Sequence, residues 1–140
     1  MKTTLIFLLI NFITYAPASI INNIDFLDIY RVEKITATMY NAMESQCDSD
    51  PFITAGMYKI NPSKASEHNW IAMSRNLLSR WGGEFNYGDN VIISNAGHKD
   101  GTYTVVDTMN PRFKDRIDFL ETTGTHHYIY ETITIQKIRG

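Results

Sequence analysis

The chain has 140 residues, of which 44% are hydrophobic, 12% aromatic and 20% charged, a composition typical of a single folded globular domain. Thirteen Lys and Arg against fifteen Asp and Glu give a net charge of -2, so there is no basic field of the kind that nucleic-acid binding needs. Cys47 is the single cysteine, which excludes an internal disulfide and Cys-based zinc motifs. We therefore expect neither a nucleic-acid partner nor a cofactor.

The first 18 residues have the features of a secretory signal peptide. Lys2 precedes the apolar run Leu5–Ile13, and Ala16-Pro17-Ala18 follows as a small-x-small cleavage site. The run is shorter than the roughly 20 apolar residues that cross a bilayer, so we expect no stable membrane span. The sequence predicts export to the cell envelope, the periplasm or the exterior. The alternative for the apolar run is a buried strand or helix.

Residues 19–31 have no clear period and are expected to be a leader that adds at most an edge strand. The predicted domain covers residues 32–140. Its first strand is predicted at Ile35–Tyr40, which is rich in β-branched and aromatic residues, and the polar loop Asn41–Pro51 follows.

Three further strands are predicted in the second half of the chain. Val91–Ile93 and Thr102–Val106 each follow a Gly-containing turn signal and are expected to be neighbours. The last run, Tyr128–Gln136, alternates at its end, which places Ile133 and Ile135 on one buried face.

Helix is scarce in the sequence. Ala72–Trp81 is expected to form two or three helical turns that end at Gly82-Gly83, and a second short helical or turn-like piece is expected between Pro111 and Leu120. Several short strands with Gly-marked turns and one or two short helices predict an all-β fold, a small β-barrel.

Two carboxylates are candidates for chemistry. Asp107 ends an apolar strand, and Asp118 lies in a segment otherwise suited to burial. A carboxylate there either pairs with Arg112 or Arg116, which lowers its pKa, or stays unpaired and desolvated, which raises the pKa and makes a general acid. The structural alternatives are a turn around Asp107 and an ion pair between Asp118 and Arg116.

A histidine pair and four aromatic residues are further candidates for ligand binding. His126-His127 is not expected to bind a metal, because consecutive strand residues point to opposite faces and no third ligand stands at a suitable spacing. The aromatic residues either stack on sugar rings or pack in the core; they are Trp70, Trp81, Tyr87 and Phe113.

Six short motifs follow one another between Thr36 and Asp118, in a segment of similarity that covers roughly Val32 to Lys137. In order they are Thr36-Ala37-Thr38-Met39-Tyr40, Thr54-Ala55-Gly56, Ile71-Ala72-Met73-Ser74, Gly88-Asp89-Asn90-Val91-Ile92-Ile93, Val106-Asp107-Thr108 and Arg116-Ile117-Asp118. Their order and spacing resemble those of the three-aspartate (3D) domain family. That family is a six-stranded double-psi β-barrel, related to the barrels of membrane-bound lytic transglycosylase A, rare lipoprotein A, barwin and expansin.

The resemblance implies a protein that cleaves the glycan strands of peptidoglycan, and we expect this protein to be a monomer. By position, Asp118 is the expected acid/base of a lytic transglycosylase-like reaction, and Asp107 is its supporting partner. Mutual repulsion of the two carboxylates, if they lie close, would keep one proton on the pair. Thr108 is expected to hydrogen-bond the ionised carboxylate. The expected substrate-binding residues are Thr108, Arg116, Tyr40 and Thr54.

The chain departs from the family pattern at three places. Ser74 stands where the third aspartate falls, Met109–Phe113 replaces a glycine-rich turn, and the element at Thr54–Gly56 is one residue shorter. These departures keep open a second function, that of a non-catalytic wall-binding or wall-loosening barrel similar to the barwin and expansin proteins.

Overall fold

The computed structural model describes residues 29–43 and 50–138. Six strands of this part of the chain close into a barrel in the order β1-β5-β2-β4-β3-β6. The strands are β1 (Ile29–Asn41), β2 (Trp70–Met73), β3 (Asn90–Ser94), β4 (Gly101–Thr108), β5 (Arg116–Glu121) and β6 (Tyr130–Ile138). The predicted signal peptide, most of the leader and Cys47 lie outside the described residues.

The strand pairing repeats itself in the two halves of the barrel. β1·β5 and β2·β4 are parallel, and the other four pairs are antiparallel. If β1 is exchanged with β4, β2 with β5 and β3 with β6, the same pairs with the same parallel or antiparallel directions result. This is the arrangement of a double-psi barrel, so the predicted mainly-β, six-stranded fold is confirmed.

Two apolar layers hold the barrel together. Alternate residues of each strand point inward and form the interior, among them Ile35, Ala37, Ile71, Phe119 and Ile135. A second, smaller cluster lies on the outer face of β1, β2 and β5. It is Tyr40, Ala42, Ile60, Ala65, Ala72, Met109 and Leu120. The connection between β1 and β2 covers this outer cluster through Ile60 and Ala65.

Most of the strand predictions are confirmed. β3 and β4 are antiparallel neighbours, as their turn signals indicated. Ile133 and Ile135 of β6 are fully buried. β1 begins at Ile29, so the last three residues of the predicted leader belong to the barrel.

The helix predicted over Ala72–Trp81 is wrong. The first two of these residues end β2, and two short 3₁₀ turns follow, Arg75–Leu77 and Ser79–Trp81. β2 pairs with β4 on one side and with β5 on the other, and this long-range pairing outweighs local helix propensity. Gly82 does end the last turn, in the left-handed conformation with φ 94°.

The remaining helical segments are all short. Two more 3₁₀ helices lie at Pro62–His68 and Gly97–Lys99. The segment from Pro111 contains a turn and then β5, so the turn-like alternative was right and the helical one wrong. No helix of the described residues is long and apolar enough to span a membrane.

Candidate functional site

A row of paired residues crosses four neighbouring strands. Thr38 of β1 pairs with Asp118 of β5, Asp118 pairs with Ala72 of β2, and Ala72 pairs with Asp107 of β4. Ile117 and Phe119, on either side of Asp118, point into the barrel. Because side chains alternate along a strand, Asp118 points to the outer face. Strands lie about 4.8 Å apart, so the Asp107 and Asp118 backbones are about 10 Å apart, with only a methyl group between them.

A β-bulge turns Asp107 to this outer face. Ile71 pairs with Val105, but the next residue, Ala72, pairs with Asp107, so Val106 is the extra residue of β4. Without the bulge, strict alternation would point Asp107 inward beside Val105. The sequence pattern carries no signal for this irregularity.

An open cleft of about 910 Å³ lies over the row. Its walls come from the segment 50–57, from Met109–Phe113, and from the 3₁₀ turns that carry Arg75, Arg80 and Trp81. Five of the six predicted site residues line it: Tyr40, Thr54, Asp107, Thr108 and Asp118. Arg116, the sixth, does not line the cleft.

Asp118 is a desolvated carboxyl group without an ion-pair partner. The Thr38 hydroxyl donates a hydrogen bond to its Oδ1. Among the described residues no Lys, Arg or His forms a salt bridge with Asp118, and its Oδ2 accepts no hydrogen bond. Burial raises the pKa of Asp118, and the Thr38 bond and the Arg116 charge lower it by less. The ion-pair alternative with Arg116 is therefore wrong. The pKa of Asp118 is raised by burial and not by the expected repulsion from Asp107.

Asp107 holds the cleft wall in place. Its Oδ1 accepts hydrogen bonds from the backbone N–H groups of Ala55 (2.8 Å) and Thr108 (2.9 Å), and the Tyr40 hydroxyl donates to its Oδ2 at 3.3 Å. Gly56 approaches so closely that its N–H bonds the Val106 carbonyl at 2.9 Å, where a Cβ would stand 2.7 Å from that oxygen. The carboxylate and the glycine together dock the 54–56 loop on the end of β4.

Three predicted residues have contacts other than those expected. Thr108 bonds Asp107 through its backbone N–H, and its hydroxyl pairs with the Tyr87 hydroxyl instead. The Arg116 guanidinium lies over the Phe113 ring, 4.9 Å from its centre. Ser74 is fully buried, and its hydroxyl accepts a bond from the Arg116 N–H at 3.1 Å. This serine thus fixes the start of β5 and adds no acid to the cleft.

The aromatic residues line the cleft, pack against an apolar cluster or, in the case of Tyr87 and Phe113, do both. Trp81 is 40% exposed in the cleft wall, where the guanidiniums of Arg75 and Arg80 lie 4.9 and 5.3 Å from its ring. Tyr87 and Phe113 also line the cleft. Trp70 packs on the outer cluster. Arg75 and Arg80 are not among the predicted site residues, because no pattern in the sequence marks them.

The described part of the chain brings no three His, Cys, Asp or Glu side chains together as a metal site. His126 and His127 are exposed and precede β6, so they do not lie on a strand as the metal argument assumed.

Comparisons with family models, with curated proteins and with solved structures found no match to this chain. The cleft and its residues are therefore the basis for inferring a function.

Proposed function

We propose that the protein cleaves the glycan strands of peptidoglycan, with Asp118 as its single acid/base. The observation that carries this proposal is a desolvated carboxyl group, with no salt bridge to any described residue, at an open cleft of about 910 Å³. Its raised pKa favours the protonated form that a general acid needs. The resemblance of the six motifs to the three-aspartate family supports the choice of peptidoglycan, and the N-terminal sequence pattern supports an exported protein.

The proposed reaction uses one carboxyl group twice. Protonated Asp118 gives its proton to the glycosidic oxygen as the bond to the sugar C1 breaks. The carboxylate then takes the proton of the same sugar's 6-hydroxyl while that oxygen bonds to C1 and closes a 1,6-anhydro ring. The proton lost in the first step returns in the second, and no water is consumed. The Thr38 hydroxyl, which donates to Oδ1, stabilises the ionised form between the two steps.

Asp107 acts in this scheme as a positioning residue. Two backbone N–H groups and the Tyr40 hydroxyl bond its oxygens, so it is engaged as an acceptor. Its part is to hold the loop that carries Thr54 in the cleft wall, so that the cleft keeps the width that a sugar chain requires. Tyr40 and the Tyr87–Thr108 pair complete the polar surface beside Asp118.

A second candidate is a barrel that binds the wall without cleaving it. The observation that favours it is Ser74, a buried structural hydroxyl at the position of the missing third aspartate. Ile53 and Met57, which are 38% and 79% exposed in the cleft wall, offer apolar contact to sugar rings whether or not cleavage follows.

Release of soluble glycan from purified sacculi separates the two candidates. Asp118→Asn keeps the size of the side chain but cannot deliver a proton, so release should fall by about 10²- to 10⁴-fold. Asp115→Asn is the matched control, since Asp115 is exposed and lies outside the cleft lining. Equal release by Asp118→Asn would remove the proposed acid. Binding of sacculi with no release by the wild-type protein would favour the wall-binding barrel.

A further inference from the structure

Two arginines of the cleft wall share one tryptophan. The guanidinium carbons of Arg75 and Arg80 lie 4.9 and 5.3 Å from the Trp81 ring. Cation–π contact with one ring holds these like charges on the same part of the wall. All three side chains line the cleft that contains Asp118.

Within residues 29–43 and 50–138, no acidic side chain forms a salt bridge with either arginine. The salt bridges of the described residues join Arg31 to Glu33, Lys99 to Glu121 and Lys137 to Asp89, and none includes a cleft arginine. Two guanidiniums that line one cleft wall and form no salt bridge with a described residue attract an anion that enters the cleft.

Arg75 adds an independent observation. Its Nε is buried and has no hydrogen-bond partner among the described residues. A buried N–H donor without an acceptor is rare in folded proteins, because water has been lost and nothing replaces it. The buried Nε is out of reach of a ligand, but its lack of a partner shows that no described acceptor holds the Arg75 guanidinium from that side, and the side chain lines the cleft.

We infer that Arg75 and Arg80, held on Trp81, form a subsite for a carboxylate group carried by the glycan. The guanidinium fork matches the two oxygens of a carboxylate in geometry and in charge. Glycan strands of peptidoglycan offer such groups on the ether side chain of their muramic acid units and on the peptides attached there. This inference rests on the proposed function for its glycan, and it makes the cleft selective for acidic over neutral polysaccharide.

The test is calorimetric binding of glycan fragments to Asp118→Asn protein, which spares the ligand from cleavage. The fragments are used with free carboxylates, or after carbodiimide coupling of those carboxylates to a neutral amine. Arg75→Gln and Arg80→Gln are each expected to weaken binding of the acidic fragments by about tenfold, and to leave binding of the neutralised fragments unchanged. Lys64→Gln removes an exposed charge outside the cleft and serves as the control.

Fragments with and without their peptides distinguish the two sources of the carboxylate. Arginine-dependent binding of peptide-free fragments assigns the muramic acid side chain, and dependence on the peptide assigns the peptide carboxylates. Equal affinity for acidic and neutralised fragments, or arginine variants that bind as the control does, would overturn the inference. Arg80 is exposed, so its variant keeps the test open if Arg75→Gln does not fold.

The two proposals can fail separately. If Arg75→Gln and Arg80→Gln bind acidic fragments as tightly as the control and the wild-type protein cleaves sacculi, only the carboxylate subsite is refuted. If the arginine variants bind acidic fragments more weakly and the wild-type protein does not cleave sacculi, only the proposed cleavage activity is refuted.

Discussion

Replacement of Glu121 by Gln should destabilise the barrel strongly, because Glu121 is the centre of a buried charged cluster. Its carboxylate is 4% exposed and forms a salt bridge with Lys99 at 2.6 Å. The hydroxyls of Ser66 and Tyr128 also donate to it. These bonds join the 3₁₀ helix Pro62–His68 and two connections to β5.

The expected loss of unfolding free energy follows from the Lys99 charge that Glu121→Gln leaves without a partner. The Lys99 side chain is 14% exposed and would lose its counter-charge. Breaking a buried ion pair from one side costs about 3–5 kcal/mol of unfolding free energy. Glu33→Gln is the matched control: Arg31 and Glu33 form a pair 52% and 58% exposed, whose loss costs less than about 1 kcal/mol.

The pH dependence of this loss is fixed by the sign of the pKa shift. Burial raises the pKa of Glu121, but the bonds from Lys99, Ser66 and Tyr128 outweigh it and hold the pKa below its ordinary 4.5. A lowered folded pKa gives stability that is complete above 4.5 and is lost as the pH falls through the folded value. The difference in unfolding free energy between the wild-type protein and Glu121→Gln should therefore become smaller at acid pH.

Urea unfolding at a series of pH values measures this difference. A loss of unfolding free energy in Glu121→Gln no larger than in Glu33→Gln would show that Glu121 is not the counter-charge of a buried Lys99. A loss that does not change with pH would show the same. The double variant Glu121→Gln with Lys99→Met removes the uncompensated charge and should recover part of the stability.

Three further predictions concern the cleft. Thr38→Val removes a hydrogen bond to ionised Asp118, so the pKa of Asp118 should rise further and glycan release should persist to higher pH. An unchanged pH profile of release would contradict this, and so would the same shift in the control variant Thr36→Val. Gly56→Ala places a Cβ 2.7 Å from the Val106 carbonyl oxygen and should cost about 1–3 kcal/mol in urea unfolding; a neutral variant would show that the loop docks differently. Burial raises the pKa of Asp118, so the stability it contributes is complete below its ordinary 3.8 and is lost as the pH rises through the folded value. Asp118→Asn should therefore gain stability over wild type as pH rises, and a difference independent of pH would argue against a desolvated carboxyl.

The strands with strong local patterns could be predicted from the sequence, and the segments governed by long-range pairing could not. Ile133 and Ile135 alternate with polar residues, so their burial follows from a period of two. Ala72 and Met73 fit a helix by propensity and become strand only because β4 and β5 flank them. A local pattern contains no information about such partners.

In the candidate site, too, one residue could be predicted from the sequence and the contacts around it could not. Asp118 was identifiable from its apolar neighbours and its motif, but the Thr38 hydroxyl that bonds it lies 80 residues away in the chain. Asp107 reaches the outer face only through the extra residue Val106, which depends on the register between β2 and β4. Arg75 and Arg80 come together on Trp81 because two 3₁₀ turns follow β2, where the sequence indicated a helix.

Mass spectrometry of the ends of the glycans released from purified sacculi decides whether Asp118 acts as a single acid/base. A single acid/base at Asp118 predicts 1,6-anhydro ends from the wild-type protein and from Asp115→Asn, and none from Asp118→Asn. Hydrated reducing ends would contradict the proposed ring closure, and anhydro ends from Asp118→Asn would contradict the role of Asp118 itself.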